Sequence, residues 1–479
     1  MSGAAVEHQG ADGAHGWPRR VAHAVTNMMV ETTDRRALVL LLLALGVDYA
    51  ERTLIGALGP TLEHTFRFGN TTLGLLAAVS GIVSAIATVP FGVLTDRANR
   101  TTLLAISLLF FAAAVGVTGA AVSLAMFFVA RLALGAVAAV TGPALPSLVG
   151  DLVPAGQRAR ALGLIESGQL VGTGLGFLLA AVVVSFLSFR WCFWLLAIGA
   201  AAVALALWRR PEPERTGAVG PVVSQHDGRP ARTRVQQLVR EAGVEPSQRA
   251  VLRQDPDQMS LWDAARYTVR VRTDIILLIA RAIGDYFLAA VGTFGVVFAT
   301  GQYGISQQGA DLAILLIGVG ALAGFLVIGW VADALLRQRH LTSRLWLGAA
   351  GYLLGPFPLA VAFWTHTLYL ALPLMMVGAF LVGGGGPALD AVRVDVVVPR
   401  LRGRTEAIRQ VLRTLAEAGA PLVFGVLAGI LSGGSQGLQI AFLVTLPLLL
   451  ASGLVALIAL RTYAPDVAAA LVSTDQDGH

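Results

Sequence analysis

Twelve apolar runs, each about as long as a bilayer core is thick, dominate this sequence. A helix needs about 20 residues to cross ~30 Å of hydrocarbon. Runs of that kind are read at 37–59, 72–94, 101–121, 124–149, 160–184, 190–209, 274–300, 310–334, 344–364, 368–392, 405–431 and 437–460. Only 13% of residues are charged and 56% are hydrophobic, where an ordinary soluble domain has about 25% charged. Backbone polar groups must be satisfied internally in lipid. The runs therefore predict an all-α polytopic membrane protein with twelve transmembrane helices. The first run begins near Ala37 with no short h-region or small-residue cleavage site before it, which predicts a retained span.

The arginines set the expected orientation. Arg97 and Arg100 follow span two, and Arg158 and Arg160 follow span four. Arg337, Arg339 and Arg344 follow span eight, and Arg400, Arg402 and Arg404 follow span ten. The opposite connections hold little beyond Arg67, Arg190, His64 and His366. The positive-inside rule then predicts a multi-pass protein of the cell membrane with both termini cytoplasmic. The net charge of +6 belongs to this topology and not to a nucleic-acid surface. The expected divisions are a tail at 1–36, a six-helix bundle at 37–209, a cytoplasmic linker at 210–272, a second bundle at 273–462 and a tail at 463–479. Near the linker's end, Ser260 and Asp263 form a capping box. Leu261, Trp262, Ala265 and Val269 are placed to face lipid while Arg266 and Arg270 face headgroups; a solvated linker helix is the other reading.

A repeat runs through the chain. GPALPSLVGDLVPAGQRAR from Gly142 reads almost as GPALDAVRVDVVVPRLRGR from Gly386. Asp151 aligns with Asp395, Arg158 with Arg402 and Arg160 with Arg404. GVLTDRANR from Gly92 likewise matches GWVADALLR from Gly329, pairing Asp96 with Asp333 and Arg100 with Arg337. Two parallel six-helix halves are the internal symmetry expected of a secondary transporter that rocks about a central site.

The pattern G-x-x-x-D-R-x-x-R between spans two and three resembles the signature of the major facilitator superfamily, with a weaker copy after span eight. Gly92 permits close helix approach. Asp96 is expected to face a helix N-terminus of the other half near residue 404, and Asp333 one near 160. Arg100 is expected to pair with Asp151, and Arg337 with Asp395. With Arg97, Arg158 and Arg402 these residues would form a breakable cytoplasmic gate. A closer resemblance rests on DYAERTLIGALGPTLEHTF (48–66), ARALGLIESGQLVGTGLG (159–176), SLWDAARYTVRVRTD (260–274) and VVVPRLRGRTEAIRQVLRTLAEAGAPLVFG (396–425). These stretches resemble the Spinster branch, whose members move lysolipids and sphingosine-type lipids. The resemblance implies an acidic–basic pair in span one, here Glu51 and Arg52, and an arginine in span four, here Arg131. A family glutamate seven residues later is replaced here by Ala138.

An ionisable residue in mid-span costs at least about 2.5–3.5 kcal/mol, so it needs a partner or a wet cavity. Asp48, Glu51 and Arg52 fall within about 100° on span one, one face. Arg131 is placed to reach Glu51 and Arg52, and Asp48 is a rival proton site. Arg281 and Asp285 form an i,i+4 pair on span seven. Glu406, Arg409, Arg413 and Glu417 lie within about 80° on span eleven, which predicts a watered path. Glu166 and Gln169 on span five add polar groups. Gly168, Gly172 and Gly176 predict a tight helix contact, and Gly383 to Gly386 before Pro387 predict a flexing point in span ten.

The single cysteine, Cys192, leaves no intrachain disulfide or Cys-rich metal centre. No Walker, H-E-x-x-H or G-x-S-x-G motif is present. No cofactor, no ATP-driven cycle and no enzyme are expected. The reading is a monomeric, proton-coupled alternating-access transporter for a small amphiphilic substrate such as a lysophospholipid. A multidrug efflux antiporter is the alternative.

Overall fold

The computed structural model describes residues 35–152, 158–212, 234–252, 259, 261–398, 401–432 and 434–476. Among them nine helices are long and apolar enough to cross a membrane, joined by two shorter apolar helices, Leu124–Ala138 and Ser167–Val183. The first helix, Arg35–Ala57, completes twelve spans; its buried Asp48 and Glu51 set it apart. The expected count is met, in two pseudo-symmetric halves.

Span one is Arg35–Ala57, with an extension, Gly59–Phe66, at its far end. Spans two and three are Asn70–Arg97 and Arg100–Ala120. Span four is Leu124–Ala138 followed by Thr141–Leu152, five is Arg158–Val183, and six is Arg190–Trp208. In the second half, span seven is Arg272–Tyr303 and eight is Gln307–Arg337. Span nine is Ser343–Leu354 with Pro356–Trp364, ten is Leu368–Val396, eleven is Arg402–Leu431 and twelve is Gly434–Ile458. Several spans run a turn past the apolar edge because caps, not hydropathy, end them. Asn99, Ser123 and Ser306 each accept a backbone N–H from the first turn they precede. Span nine breaks where Pro356 opens its second helix.

Small residues decide which helices touch. Gly168, Gly172 and Gly176 lie on Leu42, Gly46 and Ala50 of span one, and a Cβ at Gly172 would stand 2.1 Å from the Gly46 carbonyl oxygen. The glycine run of span ten serves the same end. Gly384 faces Gly324 of span eight, and Gly385 faces Gly348 of span nine. Span ten passes unbroken through Gly383 to Pro387. The expected flexing point is thus a packing surface, because neighbours on two sides need the missing side chains.

The two halves meet at the arginine-poor ends. A Cβ at Gly56 would lie 2.1 Å from the Gly292 carbonyl oxygen, and one at Gly74 would lie 2.2 Å from that of Pro421. Thr71 donates to the Gly425 carbonyl at 3.2 Å, and Asn70 to that of Gly434 at 3.2 Å. Thr61 bonds Gln307 across the same seam.

At the other ends the described chain after span six includes a helix. Helix Arg234–Glu241 packs on a C-terminal helix, Tyr463–Gln476, which also packs on span ten. The sequence reading places no element at either position. Helix Leu261–Arg270 buries Ala264, Tyr267 and Thr268, while Trp262 and Val269 are exposed. Arg266 and Arg270 are exposed as well, and the Arg266 guanidinium lies 5.6 Å from the centre of the Trp262 ring.

Candidate functional site

Span one carries the polar groups of the first half. Glu51 and Arg131, both almost fully buried, form an ion pair. Span four positions Arg131 through two further bonds: its Nε donates to the Leu76 carbonyl at 3.2 Å and a terminal nitrogen donates to Ser80 Oγ at 2.6 Å. Gly135, one turn on, lets spans four and two come together; a Cβ there would meet the Ser80 backbone. The other Glu51 oxygen is buried without a partner. Arg52 takes Asp48 at 2.8 Å, not Glu51, because residues four apart share a helix face. Its guanidinium lies 5.2 Å from the centre of the Tyr49 ring. The expected Glu51–Arg52–Arg131 cluster is therefore two pairs, one sealed and one half-open.

The second half answers with a network. Arg281 pairs with Asp285 at 3.1 Å, reaches Asp390 at 3.5 Å and donates to the Tyr352 hydroxyl at 2.8 Å. Arg413 bonds Glu417 at 2.6 Å and approaches Asp285 at 3.5 Å. Arg393 holds Asp274 at 2.8 Å and approaches Asp390 at 3.9 Å. Gly386 makes this possible: a Cβ there would stand 1.9 Å from the Arg281 guanidinium. Glu417 of this network is within electrostatic range of Arg52, and Arg413 of Tyr49. Arg413 and Glu417 of the expected stripe thus stand toward span one, while the side chain of Glu406 falls outside the described residues. Arg52, Asp390, Arg413 and Glu417 are all partly exposed, from 22% to 37% of the side chain. Glu51 and Arg131, by contrast, are each 1% exposed.

Asp390, Tyr352 and the Arg393–Asp274 pair are absent from the sequence-predicted site. Asp390 stands in the repeated motif one turn past Gly386, and that spacing is its signal. Tyr352 has none, since a tyrosine in an apolar run reads as packing.

Partners are described for some of the gate residues. The expected partner of Arg100, Asp151, has its side chain outside the described residues. Arg100 bonds Glu212, through its Nε at 2.9 Å. The same carboxylate accepts the N–H groups of Arg100 and Thr101, so it caps span three from beyond span six. Burial pushes the Glu212 carboxyl up, but these hydrogen bonds outweigh it and hold it below its ordinary value. Asp395 takes Arg344 at 3.0 Å and accepts from the Tyr463 hydroxyl at 3.0 Å, while Arg337 is exposed. Asp333 also pairs with Arg344, at 2.8 Å, within its own half. These described pairs each join neighbouring elements of one half. The side-chain surroundings expected of Gly92, Asp96, Arg97, Asp151, Arg158, Glu166 and Arg402 fall outside the described residues.

Twelve spans in two like halves, with ion pairs buried among the helices of each, are the architecture of a membrane transporter and not of an enzyme. The chain belongs to the major facilitator superfamily, whose profile matches residues 40–421. Over 383 residues it is 26% identical to Protein spinster homolog 3 of Mus musculus, covering 77% of this chain and 70% of that one. Over 182 residues it is 29% identical to Multidrug resistance protein 1 of Bacillus subtilis (strain 168), covering 37% and 46%. The crystal structure of a bacterial homolog to the human lysosomal transporter Spinster, in an inward-facing and unoccupied conformation, aligns with TM-score 0.72 at 18% identity, over 90% of this chain and 97% of that chain. A D-xylose-proton symporter aligns with TM-score 0.66 at 16% identity, over 90% and 98%. At such identities the solved structures speak for the fold.

Proposed function

We propose that this chain is a proton-coupled secondary transporter that moves a lysophospholipid-like amphiphile by rocking its two halves about the central cleft. The observation that carries this reading is the half-open row of Arg52, Asp390, Arg413 and Glu417 between apolar helices. Guanidinium groups suit a phosphate headgroup because they bond it in a fixed fork. The surrounding apolar helices suit an acyl tail. The arginine-rich ends lie in the cytoplasm, so a seam closed at the arginine-poor ends is an inward-facing state. The buried acids Asp48, Glu51 and Asp285, with Glu166 and Glu417, are the candidates to carry the proton, Glu51 first because one of its oxygens is unbonded. Similarity to the mouse spinster homolog agrees with the Spinster-like stretches of the sequence, and the lipid class is taken from that resemblance. Similarity to the Bacillus multidrug protein supports the alternative, an efflux antiporter working as a monomer in the same membrane.

Flux in proteoliposomes, with labelled lysophosphatidyl lipid against a cationic dye, separates the two. The expected result is lipid movement that a pH gradient drives and Glu51→Gln uncouples, with exchange at equal pH retained. Dye movement without lipid movement would favour efflux. Unchanged gradient-driven flux in Glu51→Gln would remove Glu51 from the coupling.

A further inference from the structure

One buried carboxylate lies outside the cleft and has no partner. Asp311 is fully buried, and neither of its oxygens accepts a hydrogen bond. It stands just over a turn into span eight, at the arginine-poor end. Residues 307, 311 and 315 recur every four along that helix and share one face. At one end of this ridge Gln307 bonds Thr61 of the first half. At the other, Leu315 lies against Gly174 of span five. Asp311 sits between these two contacts, so the first half covers it.

The groups around it do not neutralise it. The titratable neighbour from span six is the buried Cys192 thiol. The extension of span one brings Glu63, two residues from Thr61, which has a buried oxygen without a partner. Burial pushes that carboxyl up to about 7. The Gln307 side-chain nitrogen is unpartnered as well. Among the described residues no guanidinium makes a salt bridge to Asp311 or Glu63. An ionised carboxylate at such a place costs several kcal/mol unless it is paired or hydrogen-bonded. A proton removes that cost at once, and opening the seam to water removes it in another way.

We propose that Asp311 is a proton-binding site of the seam itself, separate from the acids of the cleft: with its proton the seam closes, and without it the seam stays open to water. It rests on the proton-coupled reading, and it names a place where the outside proton is taken up before the halves rock. A one-proton linkage shifts the open-to-closed ratio by up to about tenfold per pH unit.

The test needs no transported substrate. Spin labels go on Thr65→Cys and Gln308→Cys, exposed positions on the two sides of the seam, in full-length protein in nanodiscs. The unsubstituted chain, carrying only Cys192, controls for labelling. Distances are measured from pH 5 to pH 9. The otherwise unaltered protein is expected to open as pH rises, by up to about tenfold per unit. Asp311→Asn is expected to stay closed throughout, and Asp311→Glu to keep a pH response, which separates loss of the proton from loss of the fold. An Asp311→Asn profile matching the unsubstituted one overturns the proposal. So does loss of the response in Glu63→Gln alone, or opening that follows sodium at fixed pH. Failure of lysolipid flux leaves these outcomes untouched.

Discussion

Arg131 shows how much a buried charge depends on its partners. Its guanidinium is spent on Glu51, Ser80 and the Leu76 carbonyl, all inside the protein. Removing one member of such a pair strands the other and costs about 3–5 kcal/mol, whereas replacing both with apolar residues is often near neutral. Arg131→Met and Glu51→Leu should therefore each lower the melting temperature sharply in detergent, and the double variant should melt above either single one. A double variant no better than Arg131→Met would mean that Glu51 is held by something else. The pair was legible in the sequence because ionisable residues in apolar runs are rare and must be matched. Arg52 was assigned to the same cluster, yet helix spacing gave it to Asp48. Asp311 was not legible: near the edge of an apolar run a lone aspartate reads as a helix start in water. Only the packing of span five and of the span-one extension against span eight shows otherwise.

At the scale of elements, glycine and caps determine the arrangement. The spacing of Gly168, Gly172 and Gly176 announced a contact ridge, and span one lies on it. The identity of the partner helix was not in the spacing. The helix Tyr463–Gln476 was missed because its sequence is short, mixed and beyond the last span; it folds by covering span ten and capping span seven, where Asp466 accepts the Thr273 N–H at 2.8 Å. Glu212 was invisible for a similar reason, since its partner lies 112 residues away. A carboxylate at a helix N-terminus contributes about 1 kcal/mol. Glu212→Gln should lower stability at pH 7 by about that much, read as a lower melting temperature. The sign with pH follows from the direction of its shift. The folded carboxyl lies below its ordinary 4.5, so its contribution is present above that value and lost as pH falls through the folded one. The gap between Glu212→Gln and the unsubstituted protein should close in acid. A gap that persists there would assign the effect to packing rather than to charge.

The duplicated halves were legible because the repeated motifs fix both topology and register. The state of the molecule was not, because on the proposed alternating-access reading one sequence serves two forms, each closed at one end. The structure selects one of them through the seam: Gly56 on Gly292, Gly74 on Pro421 and Thr61 on Gln307 hold the arginine-poor ends together. Among the described residues, the pairs Arg100–Glu212, Arg344–Asp333 and Arg344–Asp395 at the opposite ends each lie within one half. If the halves rock, these seam contacts must separate once in every cycle, since a site reached from one side at a time needs both closures to alternate. Bridging them covalently should then stop turnover without unfolding the protein. In Thr61→Cys with Gln307→Cys, oxidation is expected to form a bridge between the two halves and to abolish lysolipid flux in proteoliposomes. Reduction should restore the flux, and either single variant should be insensitive to oxidant. On the inward-facing reading, the bridged protein should still admit a small thiol reagent from the arginine-rich side to a cysteine placed at Glu417, whose side chain is partly exposed. Flux that continues through a fully bridged population would mean that the substrate passes without separation of the seam.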